Sequence, residues 1–307
     1  MNRPDPLDDA RALIARFPAP DSEARRSTAD RLSRGGESLG RLGDLALWAA
    51  GWRGAPPRIE RPIFCLYAAS HEGRGEPGAA RSKLDALAAG GGAVPALARA
   101  QGAGVEAFDL AVDRPAPDMA VLPAMSGREC AATLAFGMEA VAKRPDLVIL
   151  GDLASGGERA CAALALALIG GQAADWAGPE DASWVEAAAG RARAASGDDP
   201  LALLTELGGR EVAASVGALV AARTQGVMVI LDGFAAAAAA AVLQRLAPEA
   251  LDHVRAAEAP AHAGHARLLQ TMGVEPVLAS SLDAGPGLAG AAALSLLRMA
   301  CQAVAAD

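Results

Sequence analysis

Hydrophobic residues along this chain change their period once. Up to residue 57 they fall at helical spacing: DDARALIARF (8–17) is one such stretch, and a long segment over 22–52 carries Leu32, Leu39, Leu42, Leu45, Leu47 and Trp48 before Ala55-Pro56-Pro57 ends the run. Beyond it, PIFCLYAA (62–69), VEAFDLAV (105–112), LVILG (147–151) and VMVILDG (227–233) are short apolar runs without alternation, with PVLAS (276–280) as a further candidate. Runs of this kind predict strands buried on both faces, the habit of parallel sheets. Between them lie Ala/Leu stretches such as CAALALALI (161–169) and the seven alanines 235–241, which are strong helix formers. Alternating strands and helices predict an α/β fold, a doubly wound and mainly parallel sheet with helices on both faces. The expected division is a helical lead-in over 1–57, a small subdomain joined by the C-terminal helix, and a Rossmann-like α/β domain over 58–307. The polar stretch 178–200 reads as an exposed excursion with a short helix, and no internal repeat is present.

Composition narrows the classes. At 52% hydrophobic, the 307 residues hold ample material for a large core, while aromatics are only 3%, so that core must be close-packed Ala, Leu and Val. With 36 acidic against 28 basic residues the net charge is −8, which argues against nucleic acid or an anionic membrane as partner. The opening MNRPDPLDD has no basic segment leading into an apolar one. The apolar segment 227–243 is broken by Asp232-Gly233, short of the continuous ~20 residues a span needs. A cytoplasmic location is expected. Cys65, Cys130, Cys161 and Cys301 are scattered in apolar runs without a CxxC pair, so free buried thiols are expected in place of a metal site or disulfide.

In parallel sheets ligands bind beyond the carboxyl ends of the strands. Four segments stand there: Ser70-His71-Glu72-Gly73; Gly151-Asp152 leading into Ser155-Gly156-Gly157; Asp232-Gly233; and DAGPGLAG, from Asp283 to Gly290. The second follows a strand, is glycine-rich and opens a helix, which suits either a phosphate cradle or an ordinary tight turn. GAGVEA (102–107) fits a dinucleotide pattern but precedes a strand where the fingerprint must follow one. His262 and His265, with His253 and Glu258 nearby, lack an HExxH pattern, so no metal is expected. Neither G-x-S-x-G nor GxxxxGK[ST] occurs.

Five separated segments, in order, resemble one family. SLGRLGDLALWAAGW (38–52) is similar to P-P-G-S-L-G-R-L-E-x-L-A. ECAATLAFGMEAV (129–141) with LVILGD resembles the lead into G-E-M-G-I-G-N-T-T. DPLALLTELGGREVAASVGALVAAR (199–223) is similar to L-G-G-x-E-I-A-A-x-x-G, VILDGFAAAAAA (229–240) to D-G-F/Y-x-A-T-A-A, and GHARLLQTMGVEPVL (264–278) to G-H-x-x-x-L-x-x-L-G-x-x-P-L-L. The family is that of the nicotinate-nucleotide:dimethylbenzimidazole phosphoribosyltransferases, which make the lower-ligand nucleotide of cobalamin. The resemblance implies transfer of phosphoribosyl from nicotinate mononucleotide to a benzimidazole-like base. It also implies a homodimer, or a heteromer with an intact paralogue, and no cofactor. The substrate-binding set it implies is Ser70, His71, Gly151, Asp152, Ser155, Gly156, Gly157, Asp232, Gly233, His265 and Gly287.

The departures fall on the chemistry. The Asn-Thr-Thr donors of the family become Glu158, Arg159 and Ala160; G-P-G-T-G is represented by Gly178-Pro179-Glu180-Asp181, with Arg191 or Arg193 standing in for a later lysine; D-H-G-V becomes Ser70-His71-Glu72-Gly73. R-L-G-E-G-T-G-A-A is here Leu282 to Gly290. In the family a glutamate in an M-A-T-F-x-x-A-G-V tail removes the benzimidazole proton, and this sequence ends at Ala306-Asp307 without one. A positioned base contributes about 10²–10⁴ in rate. No catalytic residue is therefore assigned, and the expectation is weak or altered activity, with a non-catalytic binding or partner subunit as the alternative.

Overall fold

The computed structural model describes residues 5–34, 38–73, 75–282 and 284–305. The apolar runs form β1 (Pro62–Ala68), β2 (Gly104–Asp109), β3 (Leu147–Asp152) and β4 (Met228–Asp232), followed by β5 (Val254–Glu258) and β6 (Pro276–Leu278). Every pairing is parallel, in the spatial order β2-β1-β3-β4-β5-β6. Successive side chains alternate between two cores. Cys65, Tyr67, Val148, Leu150, Val229 and Leu231 face one; Phe64, Leu66, Leu147, Ile149, Met228 and Ile230 face the other. That double burial is why these strands read as unbroken apolar runs.

Helices cover both faces. In chain order they are α1 (Asp8–Ile14), α2 (Ser22–Arg34), α3 (Arg41–Arg53), α4 (Ala79–Ala88), α5 (Ala93–Ala100), α6 (Gly127–Gly137), α7 (Glu158–Ile169), α8 (Pro179–Ser196), α9 (Pro200–Leu207), α10 (Gly209–Thr224), α11 (Phe234–Leu246), α12 (Ala263–Met272) and α13 (Leu288–Ala305). α3, α4, α5 and α13 pack on the Phe64 face, and α6 to α12 on the Tyr67 face, where α1 joins them. Small residues let the helices approach closely. A Cβ on Gly217 would come within 1.9 Å of the Leu134 carbonyl oxygen, and one on Gly137 within 1.9 Å of the Ala214 carbonyl oxygen, so α6 and α10 cross backbone to backbone. This is how a chain poor in aromatics fills its core.

Three local expectations are corrected. The 22–52 segment divides into α2 and α3. Residues 178–200 are not an excursion with a short helix: α8 runs 18 residues and buries Val185, Ala188, Ala189 and Ala192 against the core. β5 went unseen because its sequence, VRAAE, breaks the apolar run with Arg255 and Glu258 at its two ends. Residues 227–243 are, as expected, a strand and a helix joined at Gly233. α13 is long and apolar enough to cross a bilayer by length and composition, yet half of it is buried inside this fold, against α3 and the sheet.

Candidate functional site

The carboxyl ends of β1, β3, β4 and β5 share one edge of the sheet, and each delivers a polar residue there. β3 ends in Asp152, whose Oδ1 accepts the Ala154 N–H at 3.0 Å; Gly156, at φ +80°, then turns the chain into α7. β4 ends in Asp232, directly beside Gly151 in the sheet register, and Gly233 opens α11. Asp232 Oδ2 accepts the Gly290 N–H at 2.7 Å, which pins the start of α13 to the strand end. β5 ends in Glu258, whose Oε2 accepts the Leu282 N–H at 2.5 Å.

These ends surround a cleft of about 790 Å³. Of the residues expected to bind substrate, Asp152, Ser155, Gly156, Gly157, Asp232, Gly233 and His265 line it. The other four residues of that set stand behind the wall. Ser70 donates its hydroxyl to the Val112 carbonyl at 2.5 Å, Gly151 lies within the sheet, and Gly287, at φ +83°, packs against Val94 and Phe64. His71 is buried, and its backbone N–H donates to the Ser155 carbonyl at 3.1 Å. Asp283 lies outside the described residues, as do Ala306 and Asp307.

The wall is strongly acidic. Asp152 is pushed up to about 6, first by burial and then by the charge of Glu211. Asp232 also rises to about 6: burial dominates, the Gly290 N–H opposes it, and Glu258 and Asp152 add repulsion. Two neighbouring carboxylates thus titrate close to neutrality. Glu158, Glu180 and Asp181 line the same space, with Lys83 and Arg159 as the cations of the lining among the described residues. Arg159 is not a simple counter-charge: its Nη2 donates to the Glu72 carbonyl at 2.9 Å, and its guanidinium sits 4.1 Å from the Trp184 ring centroid. Arg191 and Arg193 are engaged elsewhere, Arg191 with Glu206 and Arg193 with the Ala167 carbonyl.

His265 is stacked on Phe234, ring centroids 5.5 Å apart, and burial lowers it to about 4, so it is a neutral imidazole at physiological pH. Its Nε2 is buried and has no hydrogen-bond partner among the described residues. His262 Nδ1 accepts the His265 N–H at 3.1 Å and caps α12, whereas His253 sits at the other end of β5 beside Trp52. Among the described residues no three His, Cys, Asp or Glu side chains are placed to hold a metal ion.

Glu76, Lys83 and Glu211 also line the cleft without having been singled out in the sequence, and Glu258, considered there only beside the histidines, joins them. Glu258 belongs to the unseen strand. Lys83 on α4 has its Nζ 3.5 Å from the Ala154 carbonyl. Glu211 is wholly buried; its signal in the sequence is its place directly before the apolar run VAASVGALV, at the E of the L-G-G-x-E-I-A-A-x-x-G resemblance.

A doubly wound parallel sheet whose strand ends and helix amino-termini enclose an open cleft is the architecture of an α/β enzyme of small phosphorylated ligands. Comparison with known proteins makes this specific. Residues 17–306 match a family model described as phosphoribosyltransferase. The chain is 41% identical to the nicotinate-nucleotide–dimethylbenzimidazole phosphoribosyltransferase of Brucella anthropi, over 96% of this chain and 93% of that protein. It is 39% identical to the protein of the same name from Sinorhizobium medicae, over the same shares. The crystal structure of the Thermus thermophilus protein of that name superposes with a TM-score of 0.83 at 28% identity, covering 93% of this chain and 96% of that one. The chain belongs to the nicotinate-nucleotide:dimethylbenzimidazole phosphoribosyltransferase family.

Proposed function

We propose that the chain transfers the phosphoribosyl group of nicotinate mononucleotide to 5,6-dimethylbenzimidazole or a similar base, releasing nicotinate, in assembly of the cobalamin nucleotide loop. The observation that carries this reading is one cleft in which a carboxylate titrating near 6, Asp152, faces the same space as the amino-terminus of α7. The helix end favours a phosphate. The acidic wall of Asp152, Asp232 and Glu258 favours the cationic nicotinate ring and the positive charge that develops on the ribosyl carbon. Asp152 is the better proton acceptor of the two aspartates, because one backbone N–H, from Ala154, holds its carboxylate, whereas Gly290 and Gly287 both donate to that of Asp232.

The step balances without a cofactor. The acceptor N–H proton passes to the Asp152 carboxylate, and the other ring nitrogen bonds to the ribosyl carbon. The bond from that carbon to nicotinate breaks, and its electron pair returns to the pyridine nitrogen and cancels the positive charge there. Glu158, Glu180 and Asp181 oppose the phosphate, so turnover is slower than in relatives with neutral donors at these positions. The cytoplasmic homodimer implied by the family resemblance, or a heteromer with an intact paralogue, is part of this reading and is tested by sedimentation.

The decisive experiment incubates the chain with both substrates and follows nicotinate release and nucleotide formation by chromatography. Product formed by the chain alone supports the reading. Tight binding of the mononucleotide with no product, alone or with a paralogue, turns the assignment to a non-catalytic binding subunit.

A further inference from the structure

Behind the turn at 155–157 lies an ionisable pair that the transfer step does not use. His71 Nε2 and Glu211 Oε1 share a hydrogen bond of 2.7 Å, with the side chains 4% and 0% exposed. The pair joins three elements: the segment after β1, the turn that starts α7, and the head of α10. Two glycines make room for it. A Cβ on Gly157 would meet Glu211 Oε1 at 2.9 Å and His71 Nε2 at 3.2 Å; one on Gly209 would meet Glu211 Oε2 at 2.7 Å and His71 Cε1 at 2.7 Å. Glu211 Oε2 is buried with no hydrogen-bond partner among the described residues. Burying an ion pair this completely is a poor way to gain stability. Its place, directly beneath the cleft-lining Gly157, points to another use.

We propose that His71 and Glu211 are positioning residues for the phosphate of the nucleotide: they support the 155–157 turn, and the proton they share keeps the charge behind it neutral. This rests on reading the cleft as a mononucleotide site. The groups facing the pair are Asp152 from β3 and Arg159 and Cys161 from α7. With the proton in place the pair is neutral as a whole; without it, a carboxylate stands uncompensated behind a turn that must accept an anion. Burial alone would lower His71, but Glu211 reverses this and holds His71 above its ordinary value. The pair therefore keeps its proton to a higher pH than a free imidazole would and loses it as pH rises.

The test is calorimetric titration with nicotinate mononucleotide and with ribose 5-phosphate from about pH 7 to 9, where a phosphate monoester is already close to dianionic. Wild-type affinity for both is expected to fall across this range, and Glu211→Gln, which keeps a hydrogen-bond acceptor for His71, flattens the profile. His71→Asn leaves Glu211 bare and weakens binding by about tenfold or more. The double variant His71→Asn/Glu211→Gln is neutral at both positions and recovers affinity to within about threefold of wild type. A purely structural pair predicts the reverse, a double variant no better than His71→Asn. That result, or a wild-type profile as flat as that of Glu211→Gln, overturns the proposal. Circular dichroism checks folding, and the Glu211→Gln profile decides alone if the His71 variants do not fold. Binding of ribose 5-phosphate but not of nicotinate mononucleotide removes the transferase reading and leaves the pair's role standing. Binding of both with no pH dependence does the opposite, and binding of neither removes both.

Discussion

The two ends of the sheet bury ionisable groups to different effect. At the amino end, next to the start of β5, His253 is wholly buried, with Trp52 at 6.0 Å in an edge-to-face arrangement. Arg223 lies 4.6 Å from the Trp52 ring centroid, and the indole N–H groups of Trp48 and Trp52 both donate to the Asp252 carbonyl, at 2.9 and 3.2 Å. These contacts tie α3 to the sheet. At the carboxyl end Asp152, Asp232 and Glu258 converge on open space, with the buried Glu211 in the wall and His71 behind it. Burial and shifted proton affinity occur at both ends. What separates a fastening from a site is whether the groups converge on a cavity that helix amino-termini also enter.

The largest test of this contrast is on activity. Asp152→Asn is expected to lower kcat by about 10²–10⁴, the usual contribution of a positioned base, with a smaller change in KM. Trp52→Phe and other changes at the amino end should leave kcat within about twofold. Nicotinate release under saturating substrate measures both, and equal losses at the two ends would erase the distinction.

Acid stability comes next, because His253 at one end and the two aspartates at the other should respond with opposite sign. His253 is lowered by burial from 6.5 to about 3, so between those values the unfolded chain binds the extra proton and stability falls as pH falls. Asp152 and Asp232 are raised from 3.8 to about 6, so between about pH 6 and 4 the folded chain binds the extra protons and stability rises as pH falls. His253→Leu should therefore soften the loss of stability between about pH 6.5 and 5, and Asp152→Asn should deepen it, each by about 1–2 kcal/mol. Urea unfolding at the two pH values gives the answer; shifts of the same sign in both variants would refute it.

The smallest effect belongs to Trp52→Phe in stability. It keeps one aromatic ring and removes the N–H donor together with the second ring of the indole, for an expected cost of about 1 kcal/mol or slightly more in urea unfolding. A cost several times larger would mean that the stack with Arg223, and not the hydrogen bond, fastens α3.

The resemblance to the family and the parallel sheet were legible in the primary structure for the same reason. A strand buried on both faces must be a continuous apolar run, and the first polar residue after it stands at a strand end. Asp152 after LVILG and Asp232 after VMVIL declare themselves in this way. β5 did not, because Arg255 leans its guanidinium toward Trp48, 5.1 Å from the ring centroid, and Glu258 belongs to the cleft. Its ends are polar for reasons that lie in other elements.

Local sequence determined the class of fold, the strand ends that border the cleft, and the glycines that turn β3 and β4 into their helices, since each of these depends on residues a few positions apart. Only the tertiary structure decided which residues face the cleft and which stand behind it. It withdrew Ser70, His71, Gly151 and Gly287 from the lining and added Glu211, Glu258 and Lys83. It brought His71 within 2.7 Å of Glu211 across 140 positions of chain. The proton affinities at the site arise there too, because burial and neighbouring charge are properties of packed elements and not of any single segment.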